Sequence, residues 1–127
     1  MQNNGRARRR VLVVEDQLVI AMHLEEIVCS AGCEVVGPFG RLDHAVIAAS
    51  DILLDAALLD VDLGGEASFP VAHVLRKRGI PFAFVTGQPQ WQIPVDLHAI
   101  PVMAKPITER GVRLALLHLL EPYAVPG

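Results

Sequence analysis

The sequence has few cysteines and no long apolar run, and each absence excludes a class of protein. Its 127 residues include two cysteines, Cys29 and Cys33, too few for a small domain built on disulfide bonds. No apolar stretch approaches the roughly 18 residues that a membrane-spanning helix needs. The arginine-rich start is followed by only four apolar residues before two acids, which is not the pattern of a signal peptide. We therefore expect a reduced, cytoplasmic protein without a membrane partner.

The chain also has no excess of positive charge. Its formal net charge is −3, which argues against a surface for duplex nucleic acid. Apolar residues make up 52% and charged residues 20% of the chain, the balance of a globular domain. We predict a flexible basic arm over residues 1–10, one domain over residues 11–121 and a tail over residues 122–127, which is too short for an effector domain.

Short apolar runs alternate with amphipathic segments, which predicts alternating strands and helices. The runs are apolar throughout, as in the strands of a parallel sheet that helices cover on both faces. The predicted strands comprise residues 11–15, 34–38, 56–60, 81–85 and 100–103. The predicted helices comprise residues 17–31, 43–49, 69–78 and 108–120, with Asp43, Ser68 and Thr108 as N-terminal caps of the last three.

Residues 87–99 interrupt this alternation where a fourth helix would belong. Pro89 and Pro94 each remove an amide donor, and the apolar spacing is poor, so we expect at most a turn or two of helix. An irregular segment of this length in a compact domain is often functional.

Polar residues stand where the apolar runs end. They are Glu15, Asp16, Asp60, Thr86 and Lys105. Because the carboxyl ends of parallel strands line one crevice of an open α/β sheet, we expect these residues to converge. Three carboxylates close together would repel one another unless a cation lies between them, and Mg²⁺ prefers such oxygen ligands. The sequence therefore predicts a site for Mg²⁺ and a phosphoryl group.

The chemistry of these residue types suggests a role for each. Asp60 is the candidate nucleophile, because a carboxylate attacks a phosphoryl group when nearby positive charge stabilises the transition state. Lys105 supplies such a charge, and Pro106 after it restricts its backbone to non-helical conformations. Thr86 would donate its hydroxyl to the phosphoryl oxygens.

Over nearly its whole length the chain resembles the receiver domains of two-component response regulators. The matching segments are VLVVED at 11–16, ALLDVDL at 57–63, FVTG at 84–87 and AKP at 104–106. The resemblance implies a flavodoxin-like, doubly wound, five-stranded parallel sheet of order 2-1-3-4-5. It also implies that Asp60 is the phosphoacceptor, and that Asp16 and Asp60 bind Mg²⁺ directly. Glu15 would act through water, Asp62 through its backbone carbonyl, and Thr86 and Lys105 would hold the phosphoryl group.

A receiver of this kind takes its phosphoryl group from a histidine kinase and catalyses only its own phosphorylation and dephosphorylation. It is thus a phosphoprotein of phosphorelay signal transduction rather than an enzyme with a separate substrate. We expect its output to pass to a downstream protein by contact, through a conformational change of residues 86–105.

Two departures from the ordinary receiver concern this output. Receivers commonly have Tyr or Phe three residues before the lysine, but Val102 stands there and cannot perform the same inward swing. The run PFAFVTGQPQW, which includes Gly87, Gln88 and Trp91, resembles the FAT GUY subgroup, as does DVDLGGE at 60–66. That subgroup consists largely of stand-alone receivers with kinases of the HWE or a related type.

The Gly64–Gly65 pair is expected to form a flexible loop beside the site.

Two other functions remain open at this point. The D-V-D sequence at 60–62 also resembles the first motif of haloacid-dehalogenase phosphatases, with Thr86 and Lys105 as later motifs. Those enzymes need an acid pair downstream of the lysine, whereas here the pair precedes it at 15–16. The third possibility is a receiver-like interaction module that is never phosphorylated.

Overall fold

The computed structural model of the protein describes residues 8–87 and 93–121. Five parallel strands form its central sheet, in the order β2-β1-β3-β6-β7. These strands are β1 (Arg10–Val14), β2 (Glu34–Phe39), β3 (Ala56–Asp60), β6 (Phe82–Thr86) and β7 (Val102–Ala104). Counted within this sheet alone, the order is 2-1-3-4-5, which confirms the predicted doubly wound fold.

Four helices cover the sheet on both faces. They are α1 (Leu18–Ser30), α2 (Leu42–Asp51), α3 (Phe69–Arg78) and α4 (Glu109–Leu120). Alternate residues of a strand point to opposite faces, so Leu12 packs in the core under α2 and α3, while Val13 packs in the core under α1 and α4. In the described part of the chain, no helix has the length and apolar character needed to cross a membrane.

The structure corrects several predicted boundaries and one cap. The second strand extends to Phe39, and the last sheet strand is Val102–Ala104 rather than 100–103. Asp43 does not occupy the cap position of α2, because the helix begins at Leu42 after Arg41 and Asp43 lies within its first turn. The Asp43 carboxylate accepts hydrogen bonds from Arg41 Nε and Nη2 at 3.1 and 2.8 Å and from the His44 amide at 2.8 Å.

The other two predicted caps differ from each other. Thr108 caps α4 as predicted, since its Oγ1 accepts a hydrogen bond from the Gly111 amide at 3.0 Å. Ser68 precedes α3 but makes no side-chain cap bond, and its Oγ is buried without a partner in the described structure. Gly79 ends α3 in the left-handed conformation, with φ of 73°.

The segment between β6 and β7 contains little helix in its described part. A single 3-10 turn, Val95–Leu97, follows residues 88–92, which lie outside the described residues. Leu97 is fully buried and joins the core under α2 and α3. The expectation of a short or irregular element is therefore confirmed for the residues that the structure describes.

Candidate functional site

The ends of four sheet strands bring the predicted site residues together. Glu15 follows β1, Asp60 ends β3, Thr86 ends β6 and Lys105 follows β7. Parallel pairing aligns these ends, because Asp60 lies beside Val85 and the Lys105 amide donates to the Thr86 carbonyl at 2.9 Å. Residues separated by as many as 90 positions, Glu15 and Lys105, thus come into contact.

The Lys105 ammonium lies between two buried carboxylates. Its Nζ is 3.0 Å from Asp60 Oδ2 and 3.1 Å from Glu15 Oε1. Burial alone would lower the pKa of Lys105, but its hydrogen bond to Asp60 and the charges of both carboxylates outweigh burial and raise the pKa. The lysine therefore stays charged and holds the carboxylates of two different strands together.

Glu15 has the most perturbed carboxyl group of the site. Its burial, helped by the neighbouring Asp60 carboxylate, raises the pKa of Glu15 from 4.5 to about 7, although the Gln17 amide and Lys105 act in the opposite direction. Oε2 accepts a hydrogen bond from the Gln17 amide at 3.1 Å. One lysine does not fully compensate two buried carboxylates, so this site is electrostatically suited to a further cation.

Three carboxylates lie close enough to bind one metal ion. Glu15, Asp16 and Asp60 each offer an oxygen, and these oxygens all lie within 4.8 Å of one another. Glu15 and Asp60 are buried, whereas Asp16 is exposed. A donor set made only of oxygens suits a hard divalent cation.

Asp62 lies beside Asp60 in a tight hairpin that the sequence did not predict. Strands β4 (Asp62–Leu63) and β5 (Glu66–Ala67) pair antiparallel, and Gly64 and Gly65 form the turn with φ of 64° and 96°. Positive φ at both turn residues is the reason that glycine suits this type of turn. The Gly64–Gly65 pair therefore lies beside the site, as expected, and forms the turn of a hairpin that was not expected.

The hairpin fixes both the backbone and the side chain of Asp62. Its amide donates to Asp60 Oδ1 at 3.1 Å, and its own Oδ1 accepts from the Gly65 amide at 2.7 Å. The metal contact expected of its backbone carbonyl stays a prediction.

A cavity of about 380 Å³ opens above Asp60 at this end of the sheet. Its lining residues are Asp16, Gln17, Asp60, Asp62, Gly64, Gly87 and Lys105. Sequence reasoning placed Gly64 beside the site but assigned no role to Gln17. The available signal for Gln17 was its position directly after the acid pair, at the start of a helix where a better capping residue would be expected.

Two of the residues expected to transmit the signal, Gly87 and Val102, lie within the described residues, and Gly87 lines the cavity. Gly87 is close to Lys105, since a Cβ built on the glycine would lie 3.4 Å from the lysine Cβ. Val102 pairs with Phe84 across the strands, and half of its surface, 51%, is exposed. Gln88 and Trp91 lie outside the described residues, so their expected roles stay predictions.

Solved structures resemble this chain closely. The solution structure of SdrG from Sphingomonas melonis Fr1 is 40% identical, with a TM-score of 0.78, and the match covers 89% of this chain and 97% of that chain. The BeF3-activated conformation of SdrG from Pseudomonas melonis Fr1 is 41% identical over 87% and 95% of the two chains, with a TM-score of 0.72.

The receiver domain of the response regulator PhyR from Erythrobacter litoralis has the same fold. It is 24% identical, with a TM-score of 0.74, and the match covers 94% of this chain and 95% of that chain. No protein-family model matches the chain, and no curated protein does. Three findings agree: the identity to SdrG over almost its full length, the receiver fold and the converging strand ends. The chain therefore belongs to the receiver domains of response regulators.

Proposed function

We propose that this protein is the phosphoacceptor receiver of a two-component system. In this proposal it takes a phosphoryl group from a histidine kinase onto Asp60 and later loses it to water. The observation that carries the proposal is the position of the Asp60 carboxylate, which lines the cavity while Lys105 lies 3.0 Å from its Oδ2. A carboxylate next to a fixed ammonium is suited to attack a phosphoryl group, because the ammonium stabilises the charge that develops.

Phosphorylation would be a simple substitution at phosphorus. An Asp60 oxygen forms a bond to phosphorus, the bond from phosphorus to the kinase histidine nitrogen breaks, and its electron pair leaves with the imidazole. Lys105 moves from the carboxylate to the phosphoryl oxygens, and the Thr86 hydroxyl donates to them. No separate substrate is turned over, so the protein acts as a signalling receiver that catalyses only its own modification.

The acid cluster is the proposed binding site for Mg²⁺. Asp16 and Asp60 would hold the ion directly, Glu15 through water and Asp62 through its backbone carbonyl. When bound, the ion neutralises the negative charge that the phosphoryl group brings. The close approach of three carboxylate oxygens and the raised pKa of Glu15 support this assignment.

The response is proposed to involve residues 86–105. SdrG, which is 41% identical to this chain, has a BeF3-activated conformation. In this chain Val102 replaces the usual aromatic residue, so the segment after Thr86 would carry the change. We further propose membership of the FAT GUY subgroup, a cytoplasmic location, a kinase of the HWE or a related type, and an unidentified downstream protein.

The test is phosphorylation of the isolated protein by acetyl phosphate with Mg²⁺. Intact mass should rise by about 80 Da, and the adduct should be stable to acid and lost in base. The variant Asp60→Asn should gain no mass, whereas Asp51→Asn, which changes an exposed acid at the end of α2, should gain it normally.

Two results would count against this function. Failure of every phosphoryl donor to modify the protein would favour the unphosphorylated interaction module. Multiple turnovers with small phosphate esters would favour the haloacid-dehalogenase-like phosphatase.

A further inference from the structure

Gln17 stands at the start of α1 but does not cap the helix. It occupies the N-cap position with extended backbone, and its side chain makes no cap hydrogen bond. Glutamine is not among the residues that stabilise this position, which are Ser, Thr, Asp and Asn. Its backbone amide is used, because it donates to Glu15 Oε2 at 3.1 Å. Within the described part of the chain, the side-chain carboxamide of Gln17 makes no hydrogen bond.

The mouth of the Asp60 cavity offers few side chains to a water molecule. The exposed lining residues are Asp16, Gln17, Gly64 and Gly87, and the two glycines have no side chain. Asp16 belongs to the acid cluster that could bind a metal ion. Among the described lining residues that are exposed, Gln17 is therefore the one whose neutral side chain can both donate and accept a hydrogen bond.

Asp62 is a further lining residue with a polar side chain, but one oxygen of its carboxylate is engaged. Its Oδ1 accepts the Gly65 amide of the hairpin turn at 2.7 Å. A negative carboxylate would also repel the phosphoryl group, whereas a carboxamide would not. These two facts favour Gln17 over Asp62 as a contact for an incoming water.

We propose that the Gln17 carboxamide orients the water that hydrolyses the phosphoryl group on Asp60, and so limits the lifetime of the phosphorylated state. This inference rests on the proposed function. The water oxygen forms a bond to phosphorus, the bond from phosphorus to the Asp60 oxygen breaks, and its electron pair returns to the carboxylate. Gln17 Oε1 accepts a hydrogen bond from the water, whose proton passes to solvent. A neutral amide can orient such a water without removing its proton.

The experiment compares the decay of the phosphorylated protein in wild type, Gln17→Leu and Gln17→Ser. Each protein is loaded with acetyl phosphate and Mg²⁺, the donor is removed, and the mass adduct is followed with time. Both variants should decay about tenfold more slowly, which corresponds to about 1.4 kcal/mol of barrier, while their rates of phosphorylation stay unchanged. Gln17→Ser should fold at least as well as wild type, because serine can cap α1.

Glu26→Leu is the comparison variant, since Glu26 is an exposed residue of the same helix, α1, and does not line the cavity. Slower decay in the two Gln17 variants with normal decay in Glu26→Leu would support the proposal. Decay at the wild-type rate in both Gln17 variants would overturn it and leave the receiver function standing. An equal loss in phosphorylation and decay rates would also overturn it, because the change would then have disturbed the whole cavity. If wild type forms no adduct, the proposed function fails and this inference fails with it.

Discussion

Lys105 and Asp60 form an ion pair inside the receiver, with Nζ 3.0 Å from Oδ2 and only 16% of the lysine side chain exposed. The same ammonium lies 3.1 Å from Glu15 Oε1. One largely buried cation thus lies next to two buried carboxylates that come from different strands. An uncompensated buried charge is costly. Lys105, the lysine proposed to contact the phosphoryl group, therefore also stabilises the fold of the metal-free protein.

We expect Lys105→Met to destabilise the metal-free protein. Removal of the ammonium leaves Asp60 and Glu15 facing each other, although protonation of Glu15 relieves part of the repulsion. The free energy of unfolding should fall by about 1–3 kcal/mol in urea titrations with a metal chelator present. The exposed Lys77→Met on α3 is the control and should change it by less than about 0.5 kcal/mol. Equal stability of the two variants would contradict the expected cost.

The stability of the metal-free protein should decrease as the pH rises from about 4.5 to about 7. The pKa of Glu15 is about 7 in the folded protein and 4.5 in its ordinary state, so the folded protein binds more protons in this interval. The state that binds more protons is stabilised by acid, and the gain is complete below the lower pKa and lost above the higher one. The loss should be on the order of 2–3 kcal/mol, at about 1.4 kcal/mol per unit of pKa.

Glu15→Gln tests the origin of this pH dependence. The variant lacks the titrating carboxyl group, so its unfolding free energy should be nearly flat between pH 4.5 and 7, the interval set by the pKa of Glu15. Chemical unfolding at several pH values with a chelator provides the measurement. If the variant keeps the wild-type slope, another group must be responsible.

The sheet and the convergence of the site could be predicted because both follow from simple rules. Uniformly apolar runs indicate buried parallel strands, and the carboxyl ends of such strands share one edge. This is why Glu15, Asp60 and Lys105 could be grouped although they are far apart in sequence. The Thr108 cap could also be predicted, because it depends only on a threonine and on the backbone amide three residues later.

The features that were missed depend on competition between neighbouring groups. Asp43 has the right chemistry to cap α2, but the helix begins one residue before it, and its carboxylate binds Arg41 and the His44 amide from within the first turn. The Gly64–Gly65 pair allows either a loose loop or a tight turn, and the pairing of Asp62 with Ala67 decides for the turn. Gln17 has no distinctive motif, so its position at the cavity became apparent only from the structure.

Asp16 should contribute strongly to metal binding without contributing to the fold. Its side chain is exposed, yet one of its carboxylate oxygens lies within 4.8 Å of oxygens of Glu15 and Asp60. We expect Asp16→Asn to weaken Mg²⁺ binding by about tenfold or more in isothermal titration, with unchanged unfolding in chelator. Asp51→Asn removes an exposed carboxylate of α2 and should bind Mg²⁺ like wild type. Equal affinity of both variants would remove Asp16 from the metal site.

Side chains of α3 contact the 3-10 turn Val95–Leu97, which lies between β6 and β7. His73 Nε2 lies 3.1 Å from Asp96 Oδ2, and Arg76 Nη1 donates to the Asp96 carbonyl. The adjacent Leu97 is fully buried, and its amide donates to the Pro94 carbonyl at 2.9 Å. The side-chain contacts of Asp96 should therefore restrict local opening of this turn.

We expect Asp96→Ala to speed amide hydrogen exchange at Leu97 and His98 by roughly two- to fivefold, the factor for an exposed ion pair of about 0.5–1 kcal/mol. Asp43→Ala is a matched control, because its carboxylate lies 2.8 Å from Arg41 Nη2 as that of Asp96 lies 3.9 Å from Arg76 Nη1, and its side chain is 59% exposed, against 56% for Asp96. That control should leave exchange at Leu97 unchanged, since Asp43 contacts a different part of the chain. Similar exchange at Leu97 in wild type and Asp96→Ala would mean that burial of Leu97 alone holds the turn.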